Sequence, residues 1–345
     1  MKKNVTIRDV ARESGLSIAT VSRYLNGKGY LSEQSEKKIK DVMERLDYKP
    51  NEVARSLSNR KTNTIALIIP DITNPFFPEL VVAIEGVARR RGYSLFLINT
   101  EEELLHSNGF WRSLESRFID GLILGSFEFT GEVLKGMENM KLPFVRIDRG
   151  AGDNEDNSFG VDNTEGAKLA VEHLIEVGCK KIAHISGPST YPSSLERVKG
   201  YREAMENYLP LQEECIYEGD FSLESGQKLT KELLNKHKDC DGIFFGNDLM
   251  AIGALKALKL MNIRVPQEIA IIGFDGIQLT EMVDPEISTI EQPIHELGKL
   301  ATTQLINMIE KKNEGSDYVK LDVHLIKRES TLGKHPGGTP IKDHL

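Results

Sequence analysis

The sequence predicts an all-α helix-turn-helix head followed by an α/β body of two doubly wound, parallel-sheet lobes. Three observations predict it. Residues 6–25 read as two short helical stretches parted by Ser14-Gly15. From Thr64 onward, short apolar runs alternate with amphipathic helical stretches, as in a parallel sheet covered by helices. The charge also divides: residues 1–62 carry 14 Lys/Arg against 8 Asp/Glu, a net charge of +6, and the remainder sums to −14. A small basic head on an acidic body suggests that only the head meets a polyanion.

Length and composition agree with this division. A chain of 345 residues is long for one domain and has room for two or three. With 39% hydrophobic and 28% charged residues it reads as a globular protein of the soluble kind. No apolar run reaches the ~18 residues of a membrane span. The N-terminal MKKNVTIRDV has no apolar stretch behind its lysines and does not read as an export signal. Cys179, Cys215 and Cys240 form no CxxC pair, so neither a disulfide framework nor a structural metal is expected, and the chain reads as cytoplasmic.

In the head, Thr6 and Asp9 have capping-box spacing, and Ile7, Val10 and Ala11 follow at helical spacing. Gly15 suits a helix end. Leu16 would fill the corner, and Ser17 can cap a second helix that buries Val21 and Leu25. Ser32 caps a third, with Ile39, Val42, Met43 and Leu46 as its stripe. The solvent face of the second helix carries Ile18, Ala19, Ser22, Arg23 and Asn26, and no acidic residue lies between Leu16 and Leu31. Arg23 can fork onto guanine O6 and N7, while Ile18 and Ala19 can touch a thymine methyl. Ser17, Thr20, Ser22 and Asn26 suit phosphate oxygens, and Thr6 is grouped with this DNA-facing set. The same periodicity also fits a three-helix protein-interaction module.

Residues 51–58, NEVARSLS, follow Pro50 and could form about two helical turns, too short to be stable alone in water. Leu57 has no obvious core to enter and is flanked by Arg55, Arg60 and Lys61. It reads either as a wedge for a DNA minor groove or as a stray residue in a linker. The domain boundaries expected are 1–50 for the head and 51–63 for the hinge and linker. The two-lobed body runs over 64–332, with lobe 1 about 64–162 and 290–320 and lobe 2 about 163–289 and 321–332. The Gly/Pro-rich tail, 333–345, is expected to be disordered.

In the body, strands are predicted at Ile65–Ile69, Leu95–Ile98, Leu122–Leu124, Phe144–Ile147, Ile182–Ile185, Ile243–Phe245 and Ile269–Ile272. Helices are predicted at Glu79–Arg91, Glu165–Glu176, Glu224–Asn235, Leu249–Met261 and His295–Lys311, the last returning to the first lobe. In open α/β sheets ligands bind beyond the carboxyl ends of strands. There the sequence places Asp71, Asn74, Phe76 and Phe77, then Asp148 and Arg149, then a loop leading to Arg197. Phe221, Asn247, Phe274, Asp275 and Gln292 follow. Planar polar groups of this kind hold vicinal hydroxyls in pairs, and Phe rings cover the C–H faces of a pyranose. Asp148 and Asp275 balance Arg149 and Arg197, as a neutral polyhydroxyl ligand requires. Any one of these residues could instead be a helix cap or a strand-end ion pair, and Asp248 is assigned to helix capping. GxGxxG, GxxxxGK[ST], GxSxG and HExxH are all absent, so no enzymatic activity and no cofactor is expected.

The segment TIRDVARESGLSIATVSRYLNG resembles the N-terminal signature of the LacI/GalR family of bacterial repressors, and the resemblance extends to about residue 332. It implies that Ile18, Ala19 and Arg23 read bases in the major groove. PNEVARSL is similar to the family's hinge helix, which implies that Leu57 inserts into DNA with Asn51, Ala54 and Arg55 beside it. The body resembles periplasmic sugar-binding proteins, and PDITNPFFPEL, IDR, GND, GFDG and STIEQP resemble ribose repressors. That implies ribose contacts from Asn74, Phe76, Phe77, Asp148, Arg149, Arg197, Phe221, Asn247, Phe274, Asp275 and Gln292. One family contact, an Asn after the third strand, is missing, and Ser126 stands in that region.

The expected function is an operon repressor that binds a palindromic operator as a homodimer and responds to a small sugar, ribose or a related monosaccharide. The sugar would close the lobes and move the hinges, so that DNA and sugar exclude or favour each other by linkage. A catabolite-control regulator of the same family that answers to a partner protein is the alternative. From another class, the alternative is a sugar enzyme with a DNA-binding head.

Overall fold

The computed structural model describes residues 5–25, 30–48, 62–100, 102–115, 119–125, 131–147, 157–209, 214–312 and 318–334. Asn26, Asn51, Ala54, Arg55, Leu57, Ser126, Asp148, Arg149 and the last eleven residues lie outside the described residues. The chain divides into two units, residues 1–62 and 63–345.

The first unit holds α1 (Ile7–Ser14), α2 (Ile18–Leu25) and α3 (Glu33–Leu46). Thr6 opens α1 by donating its backbone N–H to Asp9 Oδ2 at 3.0 Å and its hydroxyl to the same atom at 2.7 Å. Gly15 ends α1 at φ 67°, a conformation open to glycine at no steric cost. Ser17 Oγ accepts the Thr20 N–H at 3.0 Å and starts α2, and Ser32 Oγ accepts the Ser35 N–H at 3.3 Å and starts α3. Val10, Ala11, Val21, Ile39 and Val42 are buried against one another, with Leu16, Leu25, Met43 and Leu46 packed around them. Arg45 ties α3 to α1 through Glu13 at 3.0 Å.

The second unit contains two six-stranded sheets. In lobe 1 the order is β11-β5-β4-β3-β1-β2, all parallel. Its strands are β1 (Thr64–Ile69), β2 (Ser94–Asn99), β3 (Gly121–Gly125), β4 (Phe144–Ile147), β5 (Ser158–Val161) and β11 (Val319–Leu321). In lobe 2 the order is β12-β10-β9-β8-β6-β7, with only β12 antiparallel to its neighbour. Its strands are β6 (Ile182–Ser186), β7 (Ile216–Glu218), β8 (Gly242–Phe245), β9 (Ala270–Asp275), β10 (Ser288–Glu291) and β12 (His324–Ile326).

Buried strands of this kind read as unbroken apolar runs because helices cover both faces. Lobe 1 is covered on one face by α4 (Phe76–Arg90) and α12 (Ile294–Ile309), which pack together. On its other face lie α5 (Glu102–Leu105), α6 (Asn108–Glu115) and α7 (Gly131–Asn139), where Trp111, Leu114, Val133 and Met137 are buried. Lobe 2 carries the pair α8 (Asn163–Glu176) and α9 (Pro192–Tyr208) on one face and the pair α10 (Leu223–Lys236) and α11 (Asp248–Leu260) on the other. One core runs on from the α4/α12 face of lobe 1 to the α8/α9 face of lobe 2.

The chain passes between the lobes after β5, after β10 and after β11. Asp162, at the first passage, accepts from Glu165 N at 3.0 Å and so caps α8. It also pairs with Lys320 Nζ of β11 at 2.6 Å, which holds the first passage beside the third.

The loop after β6 leads into α9, which carries Arg197. One sequence expectation changes. Asp248 does not cap α11: Asn247 does, its Oδ1 accepting from Met250 N at 3.0 Å, because Asp248 lies one residue inside the helix and turns into the core.

Helices α10 and α11 meet backbone to backbone. A Cβ built on Gly253 would lie 2.0 Å from the Leu223 carbonyl oxygen, and one built on Gly226 would lie 2.1 Å from that of Met250. Gly253→Ala must therefore push the helices apart, at a cost of about 1–3 kcal/mol or more. Denaturant unfolding of wild type and variant measures it, and equal midpoints would show that the crossing yields freely.

Candidate functional sites

In the head, the exposed face of α2 presents Ile18, Ala19 and Arg23, and Ile18 is 48% exposed although apolar. Ser17 and Thr6 are also exposed, and Ser22 and Thr20 are half-buried. The buried side of the same helix holds Val21. An eight-residue helix with one buried apolar position and an apolar-plus-guanidinium outer face is shaped to offer that face to something.

In the body, a cleft of about 350 Å³ opens between the lobes. Lobe 1 contributes Asn74, Phe76 and Phe77, and lobe 2 contributes Arg197, Phe221, Asn247 and Asp275, with Gln292 at the second passage. These side chains converge because each lies at the carboxyl end of a strand or in the first turns of the helix that follows. Phe76 and Phe77 meet edge to face at 5.2 Å, held by the first turn of α4. Asn74 Oδ1 accepts the Phe76 N–H at 3.1 Å and so starts that turn.

Arg197 is 3% exposed, with partners at Nε and Nη1. Its Nε donates to Asn163 Oδ1 at 2.9 Å, its Nη1 donates to the Gly246 carbonyl, and Nη1 stands 3.6 Å from Asp275 Oδ1. Its guanidinium lies 3.7 Å above the centre of the Phe274 ring. Phe274 itself is fully buried and supports Arg197 from below the cleft floor. Gln292 Nε2 donates to Asp275 Oδ1 at 2.7 Å, and since a carboxylate only accepts, this fixes the amide's orientation. Gln292 lines the cleft, and its Oε1 is buried with no hydrogen-bond partner among the described residues. A buried acceptor left in this way beside a cleft is matched by a ligand donor such as a hydroxyl.

Phe221 takes φ 66°. Its carbonyl accepts from Asn247 Nδ2 at 3.0 Å, so Asn247 both caps α11 and holds Phe221. The Phe221 ring meets Tyr191 edge to face at 6.0 Å. The wall also includes Asp71, Tyr191, Asp220 and Glu224. Asp71 stands in the strand-end segment PDITNPFF, whereas Tyr191, Asp220 and Glu224 carry no periodic signal that singles them out. Asp248 lies behind the cleft. Burial, and then the nearby Asp275 carboxylate, push its acid well above the ordinary carboxylate range.

Residues 6–51 match the family described as bacterial regulatory proteins of the lacI family, and residues 62–329 match the periplasmic binding proteins and sugar-binding domain of the LacI family. The chain belongs to the LacI family. This LacI-family regulator is 41% identical over 328 residues to the ribose operon repressor of Halalkalibacterium halodurans, which covers 95% of this chain and 97% of the relative. It is similar to the lac repressor dimer bound to operator and the anti-inducer ONPF, with a TM-score of 0.85, 27% identity, and coverage of 96% of this chain and 100% of that one. It is also similar to a LacI-family transcriptional regulator from Enterococcus faecium with bound ribose. There the TM-score is 0.71 and the identity 29%, covering 79% of this chain and 99% of that one. Among the described residues of this LacI-family chain, no helix is long and apolar enough to cross a membrane.

The cleft wall depends on one missing side chain. A Cβ built on Gly187 would lie 2.0 Å from Phe221 Cζ. Gly187→Ala is expected to displace the Phe221 ring and to cost about 1–3 kcal/mol of stability. Thermal unfolding measures the cost, and an unchanged melting curve would show that the ring swings aside unopposed.

Proposed function

We propose that this protein is the repressor of a sugar-utilisation operon and that an unphosphorylated sugar, ribose or a close relative, is its effector in the cleft. The observation that carries the reading is the cleft lining itself. Planar polar groups and an orphaned acceptor meet two Phe rings from one lobe and a third from the other, in about 350 Å³. Rings for C–H faces and paired polar groups for hydroxyls are what a sugar requires. The ligand contacts are Asn74, Phe76, Phe77, Arg197, Phe221, Asn247, Asp275 and Gln292, with Phe274 acting beneath Arg197. Asp148 and Arg149 join them from the sequence. The ribose named for the Enterococcus faecium structure supports this class.

Charge argues against a sugar phosphate. The described lining carries the carboxylates of Asp71, Asp220, Glu224 and Asp275 and one guanidinium, Arg197, already engaged. Asp148 and Arg149 add one charge of each sign. Among the described lining residues a phosphate dianion meets four carboxylates against one guanidinium, and repulsion opposes its entry. Thermal shift of the full chain against D-ribose, D-xylose, D-glucose, D-fructose, sucrose and ribose 5-phosphate tests both points. A raised melting temperature with a neutral sugar and none with the phosphate ester is expected. Stabilisation by ribose 5-phosphate alone would overturn the neutral-effector reading, and stabilisation by none would point to a partner-protein effector.

On the DNA side, a homodimer binds a palindromic operator in the cytoplasm, as the operator complex named for the lac repressor dimer supports. Ile18, Ala19 and Arg23 read bases. Thr6, Ser17, Thr20, Ser22 and Asn26 hold phosphates, and Asn51, Ala54, Arg55 and Leu57 form the hinge contact. Sugar and operator affinities are coupled, and the chain has no catalytic role. Arg23→Ala is expected to weaken operator binding by about 1–3 kcal/mol and to relax preference at one base pair. Fluorescence anisotropy against the operator and a scrambled duplex checks it, and equal losses on both would remove the base-reading role.

A further inference from the structure

Asp248 has no access to solvent, and neither the α11 cap nor the cleft lining uses it. We propose that Asp248 is a positioning residue of the sugar site, fixing the turn after β9 so that Asp275 presents its carboxylate to the ligand. The inference rests on the sugar reading above.

Three hydrogen bonds carry it. Asp248 Oδ2 accepts from the consecutive N–H groups of Gly276 and Ile277, at 2.7 and 2.9 Å. Its Oδ1 accepts from Thr289 Oγ1 of β10 at 2.7 Å. One carboxylate thereby joins the first turn of α11, the end of β9 and the middle of β10. The turn it holds is not one the chain adopts unaided. Asp275 takes φ 117° and Gly276 takes 79°. A non-glycine residue stays in that region only where its surroundings over-determine it. Capture of the next two N–H groups by a single oxygen supplies that constraint. Position 273 makes the approach possible, since a Cβ on Gly273 would lie 2.1 Å from Asp248 Oδ1. The outcome is the placement of Asp275 Oδ1 at 2.7 Å from Gln292 Nε2 and 3.6 Å from Arg197 Nη1.

A core polar group with no bearing on the site would affect stability alone. A positioning residue acts through Asp275, so its effect on affinity vanishes once Asp275 no longer offers a carboxylate. An amide at 248 can keep the geometry: its oxygen accepts both N–H groups, and its Nδ2 can donate to the Thr289 hydroxyl.

The test is calorimetric titration of the full chain with D-ribose, or with whichever sugar of the panel stabilises wild type most. Asp248→Ala should bind about tenfold more weakly, Asp248→Asn should restore most of that loss, and Asp248→Ala should add less than about twofold on an Asp275→Asn background. If Asp248→Ala does not fold, Thr289→Val in the same cycle removes one of the three bonds and should weaken binding only while Asp275 is present. Wild-type affinity in Asp248→Ala, or equal losses with and without the Asp275 carboxylate, would overturn the inference and leave the sugar reading standing. If wild type binds no sugar of the panel, the reading fails and takes this inference with it.

Discussion

The buried guanidinium of Arg197 is the constraint on which the second lobe's strand ends depend. Taking a cation out of water costs several kcal/mol unless it is paired and hydrogen-bonded. Here the partners come from different parts of the chain: Asn163 opens α8, Gly246 follows β8, and Phe274 and Asp275 end β9. Each strand end must lie where the guanidinium needs it, so one side chain sets the mutual register of three loops. Asp275 is held from the far side by Gln292, and the Phe274 ring is a platform that cannot move without exposing the charge. The cleft floor is therefore formed before any ligand arrives, and association costs little reordering there.

The fold was legible where burial leaves a periodic trace. Each of the seven apolar runs read from sequence marks a strand, the last beginning one residue early at Ile269, and the head's three caps lie at Thr6, Ser17 and Ser32. The strands β5, β10, β11 and β12 left no such trace, being three or four residues long and partly built of Ser, Thr, Lys and His. Helix α9 was hidden for a different reason. Its buried side is Ser193, Ser194, Arg197, Gly200, Tyr201, Ala204 and Met205, too polar and too small to mark an amphipathic stripe. Those residues are buried because the helix packs against α8 and carries the cleft's cation.

The cleft was legible through topology more than through any motif. Strand ends in a doubly wound sheet must converge, so polar and aromatic residues at successive strand ends were expected to share a site. Asn74, Phe76, Phe77, Arg197, Phe221, Asn247, Asp275 and Gln292 do line one cleft. What sequence could not convey was the division of labour. Asn247 and Asp248 are adjacent and similar, yet one caps a helix and holds Phe221 while the other turns inward to brace a turn. That difference is decided by which of the two falls at the helix boundary, a matter of one residue that periodicity does not resolve.

The three passages between the lobes also order events during synthesis. Helix α12 and strand β11 belong to lobe 1, yet they leave the ribosome after every strand of lobe 2 except β12. Until then the buried face of α4 lacks its partner, and β5 lacks its neighbour on one edge. The head, by contrast, has all of its core by Tyr48. A nascent chain can therefore complete the folded head, with the outer face of α2 already formed, long before either lobe has closed its sheet, and the cleft comes last.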